Sequence, residues 1–207
     1  MKFYILLNEE SYKEIIKEEN ESFYIFLYGP NKWIKTNLFD SSFILSSGRY
    51  KIVDEKEAIK LLKENIYIYE KLWEKALNLA SQKHSNYFDK IGEPYILHPK
   101  YVSDKFEVFD FKIVGILHDI IEDTDITLID LENIGFPKKI IKAIDSISRH
   151  KDEKYFEYIE RLKKNTIAKK VKIEDLKHNL LSERIDRIEN NESMKKRYLK
   201  ALKILEE

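Results

Sequence analysis

The chain of 207 residues has no cysteine. Disulfides are excluded, and so are thiolate metal sites; any ion must be held by imidazole and carboxylate groups, which suit hard or borderline cations. Net charge is missing too. The 37 Lys and Arg residues balance 37 Asp and Glu, so no whole-molecule field favours nucleic acid or an anionic membrane. No apolar run is long enough to span a bilayer. The apolar opening, Met1 to Asn8, lacks a basic region, a long apolar core and a small-residue cleavage site, which argues against a signal peptide. These absences predict a soluble cytoplasmic protein with no nucleic-acid and no membrane partner. They leave the oligomeric state open.

What is present is a hydrophobic content of 43%. That is enough for one sizeable domain, or one domain and a smaller one. Lys2 to Leu7 reads as a strand. Ser11 to Glu19 reads as a short helix, Ser22 to Tyr28 as a strand closed by the Gly29-Pro30 turn, and Trp33-Ile34 and Phe43-Ile44-Leu45 as further strands. Ser46-Ser47-Gly48 reads as a turn before a strand over Tyr50 to Val53. The aromatics Phe23, Tyr24, Phe26, Tyr28 and Trp33 suit a core better than a base-stacking platform, because no basic groove accompanies them. At Asp54 the period changes. Asp54-Glu55-Lys56-Glu57 has the form of a capping box, and helical spacing runs from there to the end, with Asn65 either dividing two helices or interrupting one. The expected fold is mainly α: a helical bundle over residues 55–207, preceded by a small α+β region of unknown role over residues 1–54.

The chemistry-bearing stretch is His118-Asp119-Ile120-Ile121-Glu122-Asp123-Thr124, at the end of an apolar run, Phe111 to Leu117, that reads as one buried helix through Asp123. Three acids and a histidine there are costly to desolvate without compensation, and a cation compensates them. On a continuous helix His118, Asp119 and Glu122 share a side. His84 ends an earlier helix, and Asp175 borders the apolar stripe Val171, Ile173, Leu176, Leu180 of a later one. Together His84, His118, Asp119 and Asp175 give two imidazoles and two carboxylates, a set suited to a divalent ion of the Mn²⁺, Fe²⁺ or Zn²⁺ type. Taken singly, His84 reads rather as a solvated helix end, and Asp175 rather as a surface acid paired with Lys172. His98, between Leu97 and Pro99, reads as a packing residue. His178 reads evenly as an outer partner of Asp175 or as exposed.

The order of His84, then Gly92-Glu93-Pro94-Tyr95-Ile96-Leu97-His98-Pro99, then Gly115-Ile116-Leu117-His118-Asp119-Ile120-Ile121-Glu122-Asp123-Thr124, then Thr127 with Asp130-Leu131, then Val171-Lys172-Ile173-Glu174-Asp175 and His178-Asn179-Leu180 resembles the hydrolase domain of the RelA/SpoT alarmone enzymes and the small stand-alone alarmone hydrolases. These belong to the HD phosphohydrolase superfamily. The resemblance spans roughly residues 70–185. It implies an all-helical HD-domain bundle, and a metal site of His84, His118, Asp119 and Asp175 that usually holds Mn²⁺. It implies that Glu122 and Asp123 act beside the attacked phosphate and that Asn179 lies by the nucleotide. The implied reaction removes the 3′-pyrophosphate of guanosine tetra- or pentaphosphate by metal-activated water.

The chain departs from that pattern at Asp89, which stands where an arginine is common and would repel polyphosphate, and at Leu176, where a basic residue is lost. Lys90 keeps one positive charge. Arg149 is a further phosphate-binding candidate, or simply a helix-end cation. Two alternatives stand beside alarmone hydrolysis: the same chemistry on another nucleotide or phosphoester, and a non-catalytic nucleotide-sensing or partner-binding protein.

Overall fold

In the computed structural model, which describes residues 1–6, 14–37 and 48–207, the β-branched and aromatic runs of the N-terminal stretch pair into one antiparallel sheet. Its strands are β1 (Lys2–Leu6), β2 (Ile15–Glu19), β3 (Ser22–Leu27), β4 (Lys32–Thr36) and β5 (Tyr50–Val53), in the order β4-β3-β2-β1-β5. Side chains alternate between faces. Phe3, Ile5, Ile15 and Val53 gather on one side with Ala58, Leu61 and Leu62; Tyr4, Ile16 and Phe23 gather on the other.

One expectation fails here. Ile15–Glu19 is a strand, not the end of a helix. Ile15 and Ile16 are buried between β1 and β3, and pairing on both edges outweighs a locally helical charge pattern. Asn20 and Glu21 both have positive φ, the mark of the two-residue turns that join twisted hairpin strands. The rest of the expected helix, Ser11 to Lys13, lies outside the described residues, as do the strand expected at Phe43 to Leu45 and the turn residues Ser46 and Ser47.

Asp54 accepts the Glu57 N–H at 2.7 Å and opens α1 (Glu55–Lys83), a single helix through Asn65. The buried Asn65 amide donates to the Tyr28 hydroxyl at 2.6 Å. Two compact units partition the chain, Met1–Leu72 and Trp73–Glu207, with the boundary inside α1.

The second unit is helical: α2 (Leu97–Asp104), α3 (Phe109–Leu117), α4 (Ile120–Asp123), α5 (Leu128–Ile134), α6 (Lys138–Ile147), α7 (Tyr155–Leu162), α8 (Thr166–Asn179), α9 (Ser182–Ile185) and α10 (Glu192–Glu206). The expected start of α5 is built as the motif requires, with Thr127 and Asp130 capping each other and Gly135 closing the helix at φ +97°. α3 is the centre. Ile113, Val114, Ile116 and Leu117 are fully buried, each contributing about 1.5–3 kcal/mol by removal from water. Gly115 lets α2 approach, since a Cβ there would lie 2.9 Å from Ser103 Cα. The expected continuous helix from Phe111 to Asp123 is broken at His118-Asp119. His118 Nδ1 bonds the Gly115 carbonyl at 2.8 Å, the acceptor that a continuing helix would offer to the Asp119 N–H. Among the described residues, no helix is long and apolar enough to cross a membrane.

Candidate active site

The break after α3 turns His118 and Asp119 toward the histidine of α2 and the aspartate of α8. His118 Nε2 lies 3.1 Å from Asp119 Oδ2, 3.2 Å from His98 Nε2 and 3.8 Å from Asp175 Oδ1. His98 Nε2 lies 3.1 Å from Asp175 Oδ1 and 3.7 Å from Asp119 Oδ2. Four donor atoms from three segments thus converge. Among the described residues, the group whose ligand atoms all lie within 4.8 Å of one another is His98, His118 and Asp175.

His84 is not in that group. The second imidazole comes from His98, read from the sequence as a packing residue. His84 is buried beside Tyr95, ring centroids 4.9 Å apart, and edge-on to Tyr87. Neither of its ring nitrogens has a partner among the described residues, and burial holds its pKa below the ordinary value. The clue to His98 was available: it stands inside the Gly92-to-Pro99 motif, one turn after Tyr95.

Each converging side chain is held from behind. The Tyr95 hydroxyl donates to Asp119 Oδ2 at 2.6 Å. Lys172 meets Asp175 Oδ2 at 2.7 Å and the Asn179 amide donates to Asp175 Oδ1 at 2.6 Å. His98 Nδ1 lies 2.7 Å from His178 Nδ1. With His98 donating there, its Nε2 lone pair faces the cluster. His178 suits the acceptor role: burial, then the neighbouring His98, pushes its pKa down to about 3. His178 is therefore an outer partner, though of His98 and not of Asp175. Outer bonds of this kind set tautomer and aim at a metal centre.

The electrostatics favour a cation. Burial opposes charge on His118, yet the Asp119 and Asp175 carboxylates raise its pKa to about 9. Burial would lift both carboxyls, but His118 holds Asp119, and Lys172 holds Asp175, below the usual range. Two Nε2 atoms at 3.2 Å facing two carboxylates demand positive charge between them, a proton or a metal ion. The residues fit a divalent ion.

Glu122 and Asp123 follow on α4, and both line a cavity of about 570 Å³ together with Asp119 and Asp175. Burial raises the Glu122 carboxyl above its ordinary pKa, while the Arg149 N–H, 2.9 Å from Oε1, opposes the shift. Lys90, Arg149 and Asn179 line the same cavity. Lys90 reaches Met194 Sδ at 3.8 Å, and the Arg149 guanidinium donates to the Glu153 carbonyl. Lys172, read from the sequence only as a surface partner of Asp175, lines it too, with Arg184, Arg197, Tyr155 and Tyr198, which sequence reading overlooked. Asp89 is not the bare negative charge that was expected. Its carboxylate accepts the Ile91 and Glu93 N–H groups at 3.0 and 2.9 Å and pairs with Arg184 at 2.9 Å.

The helical unit thus sets a His-Asp corner at a broken central helix against an aspartate from a later helix, an arrangement with a likeness among known proteins. Comparison with known proteins narrows the likeness. The chain is 40% identical over 83 residues to a guanosine-3′,5′-bis(diphosphate) 3′-pyrophosphohydrolase of Borreliella burgdorferi, which covers 38% of the chain and 12% of that protein. It is 31% identical over 86 residues to the enzyme of the same name in Aquifex aeolicus, covering 40% of the chain and again 12% of the relative. The chain thus spans about an eighth of these two relatives. The Danio rerio 3′-pyrophosphohydrolase MESH1 is 31% identical over 120 residues, which is 50% of the chain and 64% of that protein. Among solved structures, a metazoan ortholog of SpoT that hydrolyses ppGpp superimposes with a TM-score of 0.55 at 22% identity, over 65% of the chain and 85% of the other. No family model matches.

Proposed function

We propose that the chain is a divalent-metal-dependent phosphohydrolase that removes the 3′-pyrophosphate of guanosine tetra- or pentaphosphate, with the activity in the helical region of residues 55–207. The observation that carries the reading is the convergence of His98, His118, Asp119 and Asp175 at one wall of a cavity that also holds an acidic pair and several cations. The names of the relatives support the choice of substrate. We assign the metal to those four residues and put Mn²⁺ first, with Fe²⁺ or Zn²⁺ as alternatives, since a nitrogen-and-oxygen site without thiolate admits all three.

When bound, the ion neutralises phosphate charge and lowers the pKa of water. The chain's own residues do the rest. Tyr95 holds Asp119, Asn179 and Lys172 hold Asp175, His178 holds His98, and the Gly115 carbonyl holds His118. Glu122, its carboxyl raised by burial, exchanges a proton with the attacking water or the leaving oxygen, and Asp123 orients that water. Lys90 and Arg149 offer positive charge to the phosphates. Asp89 gives no reason to look for a less charged substrate, because backbone amides and Arg184 already satisfy it.

Incubating Mn²⁺-loaded protein with guanosine tetraphosphate should yield GDP and pyrophosphate, with Zn²⁺ and Fe²⁺ loading compared in parallel. Turnover of other nucleotides with none of this one rejects the substrate; no metal retention and no turnover of any nucleotide rejects the enzyme.

A further inference from the structure

A largely buried guanidinium with an unanswered N–H borders the cavity. Arg184, on the short helix α9, donates from Nη2 to Asp89 Oδ2 at 2.9 Å, and the two side chains are 14% and 7% exposed. Its Nε is buried and has no partner among the described residues. Arginine stays ionised, and a buried donor without an acceptor costs about 1–3 kcal/mol. Asp89 has little more to offer, since its Oδ1 takes the Ile91 and Glu93 N–H groups and its Oδ2 takes Nη2. Both residues line the cavity, so the missing acceptor is most simply a ligand oxygen. The planar fork of an arginine matches a phosphate, with Nε and one Nη each bonding an oxygen.

Arg184 is anchored to a different segment from the reacting groups. Arg149 is joined through its backbone N–H to Glu122. Arg184 is joined to the loop at residues 89–93, a segment that supplies none of the four converging ligands and neither acid of the pair. We propose that Arg184, aimed by Asp89, binds the phosphate arm of the nucleotide that is not cleaved. Arg184 thereby brings from α9 a guanidinium to the loop where Asp89 stands. This deepens the hydrolase reading and rests on it.

The test compares guanosine tetraphosphate with guanosine 3′-diphosphate, which lacks the 5′ arm, on the metal-loaded full chain. Arg184→Gln should raise KM for the tetraphosphate by roughly tenfold or more, the worth of a charge-assisted bidentate contact. Its kcat should stay within about twofold, because the contact is the same in ground and transition states. On the truncated substrate variant and wild type should have equal KM. Arg184→Lys, with the charge but not the fork, should recover part of the loss, and Asp89→Asn should show a smaller rise. Equal losses on both substrates with a lowered melting temperature would make the pair a structural fastening and overturn the proposal, as would an unchanged KM. If wild type hydrolyses neither substrate, the hydrolase reading falls, and calorimetry with GDP still decides about Arg184: weaker GDP binding by Arg184→Gln supports the anion site, and equal binding ends it.

Discussion

His98 carries the greatest consequence of any single side chain. Its Nε2 sits 3.1 Å from Asp175 and 3.2 Å from His118, whereas His84 is buried against Tyr95 outside the converging group. Replacing His98 by Ala should therefore strip the metal as completely as replacing His118, while His84→Ala should retain it, at a packing cost of about 2 kcal/mol for the cavity left behind. Metal content of the purified variants by atomic emission, with thermal unfolding alongside, checks both; a metal-free His84→Ala that is still folded would return His84 to the ligand set. At this scale much of the site was legible. His118, Asp119 and Asp175 follow from acids and imidazoles placed where burial makes them costly. The choice between His84 and His98 was not, because helical spacing within a segment says nothing about which of two helix-terminal histidines the chain brings beside Asp175. Lys172 could be read only as a partner three residues from Asp175, not as the buried cation it is.

The element that sets the geometry is the broken central helix. Gly115 serves it twice, giving its carbonyl to His118 Nδ1 and leaving room for the Ser103 backbone of α2. Gly115→Ala sets a methyl 2.9 Å from Ser103 Cα, where backbone and not a flexible side chain must move. We expect a loss of about 1–3 kcal/mol by overpacking, with weaker metal retention, since α2 carries His98 and α3 leads into His118. Chemical denaturation and a metal titration measure the two effects, and unchanged values for both would contradict the close approach. A second joint lies between α6 and α7. Arg161 donates to both carboxylate oxygens of Glu153, at 2.7 and 2.9 Å, and to the Ser148 carbonyl, while the Glu153 carbonyl holds Arg149. The Arg161 hydrogen bond, outweighing partial desolvation, lowers the Glu153 carboxyl to about 2. A depressed carboxylate stabilises the fold fully above its unfolded pKa near 4.5, and the contribution fades as pH falls through about 2. The stability gap between wild type and Glu153→Gln should be constant above pH 5 and close between about 4.5 and 2; a gap that persists at pH 2 would mean the charge is not its source. Neither joint was readable beforehand. A helix that ends because its own histidine takes a carbonyl leaves no Gly or Pro at the break, and Glu153 gains its partner from the next helix.

Across the whole molecule, chemistry and unassigned sheet fall in different units. The four converging side chains, Glu122, Asp123, Lys90, Arg149, Asn179 and Arg184 all lie within Trp73–Glu207, and the sheet lies within Met1–Leu72. The change of period at Asp54 was legible because capping chemistry marks it and the structure keeps it, with Asp54 bonded to the Glu57 N–H. The strand Ile15–Glu19 was not, because its identity depends on β1 and β3 at its edges. The contact boundary inside α1, at Leu72 and Trp73, is also invisible to periodicity, since one helix continues through it. A fragment of residues 55–207 retains every converging side chain and the residues that bond them. It uncovers Ala58, Leu61 and Leu62, which pack with the sheet residues Phe3, Ile5, Ile15 and Val53; each exposed large side chain forfeits about 1.5–3 kcal/mol of burial. The fragment should bind Mn²⁺ with the affinity of the full chain while melting at a lower temperature and associating more readily through the bared stripe of α1. Metal titration and light scattering on the two proteins separate these effects. Full loss of metal binding by a fragment that keeps its helical circular dichroism would mean that the N-terminal unit is needed to organise the site.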